Sequence, residues 1–226
     1  MYDIIKTFPK VDKELVAKFA AIEESASINE SLTVNGALNH SIRPLWPETR
    51  LCGTAFTIQA RPGDNLIIHK ALQLIEPGDV LVITCDGFLE AGGMFGGVMS
   101  TFAQKRGCAG LVMDGSVRDS IHIKEIGFPV FSCGVSVRSS TKITGGKINH
   151  PINICDVTVH PGDLVFGDND SVVIVPREQA AEVYERTHKR EEYEQKVLKD
   201  INEKGVSNYE QFEKAFAALG LTEEEV

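Results

Sequence analysis

The chain has few of the features that mark a protein for nucleic acid, a membrane or a metal cluster. Its longest basic run is His188-Lys189-Arg190, and 23 Lys and Arg stand against 32 Asp and Glu, a formal net charge of −9. Nucleic-acid binding relies on a localised basic face, so it is not expected here. No apolar stretch approaches the roughly 20 residues that cross a bilayer, and Met1-Tyr2-Asp3 does not open a charged-then-apolar leader. The five cysteines, Cys52, Cys85, Cys108, Cys133 and Cys155, are scattered and form no CxxC. Several lie in apolar runs, as reduced core thiols do. The histidines contain no HExxH and no paired metal-ligand spacing. The expectation is a soluble cytoplasmic protein. Its 226 residues, 42% hydrophobic, suffice for one large α/β domain or one with a helical appendage.

What is present organises itself by period and punctuation. Residues 11 to about 29 read as a helix with Leu15, Val16, Phe19, Ala20 and Ile22 on one stripe and Asp12 as N-cap. Residues 54–60 alternate as a strand, and residues 66–74 form a helix. Pro-Gly-Asp recurs at 62–64, 77–79 and 161–163; Pro-Gly suits the centre of a type II turn, where glycine accepts positive φ. Residues 80–85 are a continuous apolar strand of the kind buried on both faces. A helix over 97–106 follows, with Val98, Phe102 and Ala103 inward and Gly107 as its stop. Strand 111–113, helix 119–126 and strand 129–131 complete a pattern of parallel neighbours joined by crossovers. Residues 135–143 and 152–175 read as β segments, with a sharp turn at Gly167-Asp168-Asn169-Asp170. Beyond Pro176 the chain is helical and polar with a thin apolar stripe, which places it in solvent or over a partner subunit. Residues 209–219 add a short amphipathic helix.

Two stretches carry candidate chemistry. Gly92-Gly93-Met94-Phe95-Gly96-Gly97 opens a helix. It fits neither a dinucleotide fingerprint nor a P-loop, and reads either as an anion site of free N–H groups or as a tight turn of small residues. Asp114-Gly115-Ser116-Val117-Arg118-Asp119 ends a strand, the edge at which open α/β sheets bind ligands. Arg118 and Asp119 read either as a carboxylate grip beside a divalent-metal ligand or as a mutual salt bridge. The short elements between the stretches predict that the two turns sit side by side. His122 falls near the second stretch. Asp168-Asn169-Asp170 opens like a calcium loop but lacks its sixth-position glycine and twelfth-position acid, and reads as a turn. Glu191, Glu192 and Glu194 form a solvated helix face, or complete a neighbour's site if that helix crosses a subunit boundary.

Taken together, these residues resemble the family containing class II 4-hydroxy-4-methyl-2-oxoglutarate aldolases and the regulator of ribonuclease activity A. The resemblance runs from about Leu51 to Pro176. It is carried by Gly53-Thr54-Ala55, Asp64-Asn65, Pro77-Gly78-Asp79-Val80, Gly107-Cys108-Ala109-Gly110, the 114–119 stretch, Pro161-Gly162-Asp163 and Gly167-Asp168-Asn169-Asp170. It implies an α/β fold of the swivelling β/β/α, phosphohistidine-domain-like kind with helical N- and C-terminal segments. It further implies one domain over 1–226, with a core at about 51–176 and C-terminal helices at about 177–220. Assembly would be as a homotrimer or homohexamer with sites between subunits.

The implied activity is divalent-metal-dependent cleavage of a 4-hydroxy-2-oxo acid to pyruvate, with oxaloacetate decarboxylation. A pyruvoyl carboxylate would rest on the backbone N–H groups of Gly96, Gly97, Val98 and Met99 and on Arg118. Asp119 would hold Mg²⁺ or Mn²⁺, and Glu191 or Glu192 of a neighbouring subunit would organise water. Such cleavage leaves an enolate, which a divalent cation and an arginine stabilise. One position departs: the aldolases commonly carry Asp or Glu twenty-one residues before Arg118, where this chain has Gly97, and loss of that carboxylate weakens the proton relay. The competing class is a non-catalytic regulator of ribonuclease activity that binds protein through an acidic surface. Arg118 and Asp119 beside a glycine anion turn favour the enzyme.

Overall fold

The computed structural model describes residues 3–206 and 210–221; Met1, Tyr2 and Tyr209, the expected start of the last helix, lie outside them. The chain divides into two compact units, one running to Thr187 and one from His188. Strand β1 (Asp3–Ile4), helices α1 (Lys13–Ala20) and α2 (Ser25–Glu30) and strand β2 (Arg43–Pro44) come first. The α/β centre follows as β3 (Leu51–Ala60), α3 (Leu66–Leu72), β4 (Asp79–Thr84), β5 (Gly93–Phe95), α4 (Gly97–Lys105), β6 (Gly110–Val117), α5 (Ser120–Glu125) and β7 (Val130–Val135). Then come β8 (Gly146–Ile148), the hairpin β9 (Ile152–Ile154) and β10 (Val157–Val159), β11 (Leu164–Gly167) and β12 (Val172–Val175). Helix α6 (Ala180–Lys204) continues beyond Thr187, and α7 (Glu210–Ala218) closes the second unit. No helix among the described residues is long and apolar enough to cross a membrane.

Strands β3, β4, β6 and β7 lie side by side and parallel, as the alternation of strand and helix predicts. Antiparallel β8, β11 and β2 extend this sheet at its flanks. One face, with Leu81, Ile83, Leu111 and Met113, packs on Ile67, Met99, Ala103 and Ile123 of α3, α4 and α5. The other, with Val82, Val112 and Phe131, packs on Ile152, Ile154, Val159 and Ile174. Burial on both faces explains why β4 runs apolar from Val80 to Ile83 rather than alternating. A third cluster joins α1 and α2 to β11 and β12 through Phe19, Ile28, Phe166 and Val173.

The three Pro-Gly-Asp turns are built alike. Gly63, Gly78 and Gly162 sit at φ 77°, 90° and 87°, and the following aspartates are all buried. Asp79 Oδ2 accepts from Glu76 N at 2.9 Å and Asp163 Oδ2 from His160 N at 2.8 Å, each closing its own turn. Asp64 instead reaches across the fold: Oδ2 accepts from Thr141 Oγ1 and Ile143 N, both at 2.7 Å, and Oδ1 from Leu66 N at 3.1 Å.

The structure corrects several expectations. Asp12 does cap α1, accepting from Glu14 N at 2.8 Å, but the helix expected over 11–29 is two helices. Arg50 Nη1 donates to Glu23 O at 2.8 Å, and Asp168 takes Ser25 N at 2.6 Å and Ser25 Oγ at 2.8 Å. These distant partners hold the break open. Asp168-Asn169-Asp170 is a turn, with Asp168 N donating to Ser171 O. Residues 136–143 are irregular apart from a bridge at Thr141. In α4, Met99, Ser100 and Ala103 are buried, whereas Val98 is 86% exposed and Phe102 is exposed too.

Burial by itself would push the Asp64 carboxyl up, but the hydrogen bonds from Thr141, Ile143 and Leu66 outweigh it and hold it at about 2. A native value below the unfolded one, about 4, gives stability that is complete above that unfolded value and is lost as pH falls through about 2. Asp64→Asn is therefore expected to lower the urea midpoint at neutral pH. It should also flatten the loss of stability between about pH 4 and pH 2, as read from urea denaturation at stepped pH.

Candidate active site at the end of strand β6

Strand β6 ends at Val117 on the carboxyl edge of the parallel sheet, and Arg118 and Asp119 follow at once. The glycine stretch is brought beside them by β5, which pairs parallel to β6 through Gly93–Ser116 and Phe95–Val117. Part of the expected turn is therefore a strand. Arg118 N donates to Phe95 O at 2.9 Å, and the buried Asn65 holds Met94 O at 2.9 Å through Nδ2. The approach leaves no room for side chains. A Cβ at Gly93 would stand 2.4 Å from Ser136 O, and one at Gly96 would stand 2.7 Å from Asp119 Oδ2.

Gly96 is the N-cap of α4, and the N–H groups of Gly97, Val98 and Met99 have no partner within the helix. Gly97 N donates to Asp119 Oδ2 at 2.9 Å, so the helix N-terminus and the strand end meet, as the spacing predicts. Asp119 itself is left-handed, at φ 57° and ψ 38°, and begins α5. Arg118 Nε lies 3.8 Å from Asp119 Oδ2, with the two side chains 42% and 50% exposed. The salt-bridge reading thus holds as far as it goes. A pair so open to solvent contributes at most about 1 kcal/mol and leaves both groups accessible. Asp119 lies between two depressions. One, of about 340 Å³, is lined by Arg118, Ser120, Val135, Ser136 and Val137. The other, of about 740 Å³, is lined by Gly97, Val98, Thr101, Phe102, Lys105 and His122.

The structure thus brings together Gly96, Gly97, Arg118 and Asp119, with Val98 and Met99 in the first turn of the same helix. Gly97, the departure from the aldolase pattern, is closed off: a Cβ there would stand 2.8 Å from His122 Cδ2. The His122 ring is held by Thr101 Oγ1, 3.0 Å from Nε2. Glu191 and Glu192 lie on α6 in the second unit, where Glu192 stands 3.6 Å from His188. Ser136 and Val135 were not legible as site residues, because only the register of β7 against β6 carries them to the cleft. Among the described residues no three His, Cys, Asp or Glu side chains cluster as a metal cage. One accessible carboxylate nevertheless fits a hard cation such as Mg²⁺, which keeps several waters and takes further oxygens from its substrate.

Residues 24–174 match the profile of the family described as RraA-like, Aldolase/RraA. A protein of Halalkalibacterium halodurans named "Putative 4-hydroxy-4-methyl-2-oxoglutarate aldolase" is 34% identical over 178 residues, covering 79% of this chain and 84% of its own. A crystal structure of an uncharacterized protein from Pseudomonas syringae pv. tomato is similar at TM-score 0.76 and 28% identity, over 90% of this chain and 98% of that one. Streptomyces coelicolor RraAS2 is described as an unusual member of the RNase ES inhibitor RraA protein family. It is similar at TM-score 0.76 and 26% identity, over 85% of this chain and 100% of its own.

The close approach at Gly96 is testable. Gly96→Ala is expected to displace the Asp119 carboxylate from Gly97 N and lower the melting temperature by about 3 °C or more, measured by thermal denaturation, with the circular dichroism spectrum unchanged.

Proposed function

The chain belongs to the RraA-like, Aldolase/RraA family, and from that premise we propose that it is a divalent-metal-dependent pyruvate aldolase. Its reaction is retro-aldol cleavage of a 4-hydroxy-2-oxo acid such as 4-hydroxy-4-methyl-2-oxoglutarate, with decarboxylation of oxaloacetate as a second activity of the same site. The observation that carries this reading is the junction of Arg118, Asp119 and the N-terminus of α4 around one hydrogen bond, Gly97 N to Asp119 Oδ2 at 2.9 Å.

Each residue has a separable task. The N-terminal turn of α4 presents the N–H groups of Gly96, Val98 and Met99 and the positive end of the helix dipole to the substrate carboxylate, while Gly97 N stays on Asp119. Arg118 adds a fixed charge that cannot be deprotonated near neutral pH, and it bears on the negative charge left when the carbon–carbon bond breaks. Asp119 would hold Mg²⁺ or Mn²⁺. Bound there, the cation supplies Lewis-acid stabilisation of the developing keto-oxygen charge. Gly97 offers no carboxylate to relay a proton. That task falls to water organised by Glu191 or Glu192 of a neighbouring subunit, in a homotrimer or homohexamer acting in the cytoplasm.

Pyruvate release from oxaloacetate and from 4-hydroxy-4-methyl-2-oxoglutarate, with Mg²⁺, with Mn²⁺ and with EDTA, tests the reading. Turnover above the free-metal background is expected, abolished by EDTA. Arg118→Ala and Asp119→Ala should each lower kcat/KM by about 100-fold or more. Turnover of neither substrate by folded, metal-loaded protein would favour the non-catalytic branch of the family, a regulator of ribonuclease activity acting through protein contact.

A further inference from the structure

The sheet face away from α4 and α5 changes character towards the carboxyl edge. Its apolar rows, Val82, Val112 and Phe131, are followed two residues on by Thr84, Asp114 and Cys133, which alternation keeps on the same face. These three line a cavity of about 620 Å³ together with Ser41, Asn153 and Cys155. The cavity shares no lining residue with the two depressions beside Asp119.

Asp114 is buried and fully engaged there. Oδ1 accepts from Cys85 N at 2.6 Å, and Oδ2 accepts from Thr84 Oγ1 at 2.7 Å and Gly87 N at 3.2 Å. Its role is to fold the 84–87 loop into the cavity wall. The thiols are the reactive groups left. Cys133 and Cys155 line this cavity together and pack against the same core cluster, and Cys133 Sγ donates to Ser41 Oγ at 3.5 Å. Both are partly exposed, whereas Cys85 and Cys108 are buried. Cys155 is held at φ 47° and its neighbour Asp156 at φ 66°, backbone that such residues rarely adopt.

We propose that Cys133 and Cys155 form an oxidisable thiol pair, a modification site at which a hydroperoxide converts two thiols to one disulfide. The Cys133 thiolate attacks a peroxide oxygen and the O–O bond breaks. The proton given up by Cys133 leaves in the first water, and Cys133 becomes a sulfenic acid. The Cys155 sulfur then attacks the sulfenic sulfur, the S–O bond breaks, and the Cys155 proton leaves in a second water. Two thiols and one hydrogen peroxide thus give one disulfide and two waters, the sulfurs losing the two electrons that the peroxide gains. The new bond ties the end of β7 to the β9–β10 turn.

The division of labour follows from the environment. Interaction with Cys155 draws the Cys133 thiol below the ordinary thiol range against burial, and the same interaction, with burial, pushes Cys155 up. An attacking thiol that ionises near ambient pH combines a large thiolate fraction with retained nucleophilicity. Burial pushes Cys52 up to about 12 and Cys108 up to about 11, and raises Cys85 as well.

The test treats the intact, reduced protein with hydrogen peroxide in EDTA, then denatures it and alkylates with iodoacetamide. Cys52, Cys85 and Cys108 should alkylate, while Cys133 and Cys155 appear in one cross-linked peptide pair that dithiothreitol separates. The wild-type rate should rise with pH and level below the ordinary thiol value of about 8.5. In Cys155→Ser the reaction should stop at a Cys133 sulfenic acid trapped by dimedone. In Cys133→Ser peroxide consumption should fall about tenfold or more, with circular dichroism confirming that both variants fold. Five alkylated cysteines after peroxide, a disulfide through Cys85 instead, or an undiminished rate in Cys133→Ser would overturn the proposal. None of these outcomes depends on aldolase activity.

Discussion

A helix N-terminus and a strand end can share a hydrogen bond only where no side chain stands between them, and the Gly97–Asp119 contact depends on that condition. Gly93, Gly96 and Gly97 each stand where a Cβ would meet Arg118, Asp119, Ser136 or His122 at under 3 Å. The bond does three things at once. It satisfies a helix N–H that would otherwise lack a partner, it fixes the left-handed Asp119, and it sets the rotational phase of α4. With that phase fixed, Met99 and Ala103 turn into the core and Val98 and Phe102 turn outward beside Asp119.

The rest of the first unit holds that contact still. The sheet is buried on both faces, so β6 cannot shift along its neighbours without dislocating two core clusters at once. Asn65 anchors Met94, and Asp64 anchors the irregular segment after β7. Adjacent residues of one turn therefore anchor both β5 and the segment at Thr141 and Ile143. A cleft supported in this way keeps the Arg118 and Asp119 side chains and the α4 N-terminus in a fixed mutual arrangement.

The carboxyl edge of the sheet carries different chemistry on its two faces. On the α4 and α5 side stand a guanidinium, a carboxylate and backbone N–H groups, hard donors suited to carboxylates and divalent cations. On the other side Asp114 and Thr84 fix a loop, and the partly exposed thiols of Cys133 and Cys155 stand beside it. Alternation of side chains along β6 places Asp114 two residues beyond Val112 on one face, while the strand end carries Arg118 and Asp119 past the sheet altogether.

By itself the sequence determined the elements whose causes are local. Apolar runs marked β4 and β6, Pro-Gly-Asp marked turns that need positive φ, Asp12 marked the start of α1, and the Gly92–Gly97 and Arg118-Asp119 stretches marked two turns that meet. Each depends on residues within a few positions, so each is visible in one dimension. Tertiary structure alone decided what depends on distant partners. Arg50 and Asp168 split the first helix, and Asp119 set which apolar residues of α4 face inward. The pairing of β5 with β6 turned part of a glycine loop into a strand. Cys133 and Cys155, which looked like isolated core thiols, meet because the β9–β10 hairpin packs on the face where β7 ends. Periodicity says that a residue lies on a face; only the register of the sheet says what that face meets.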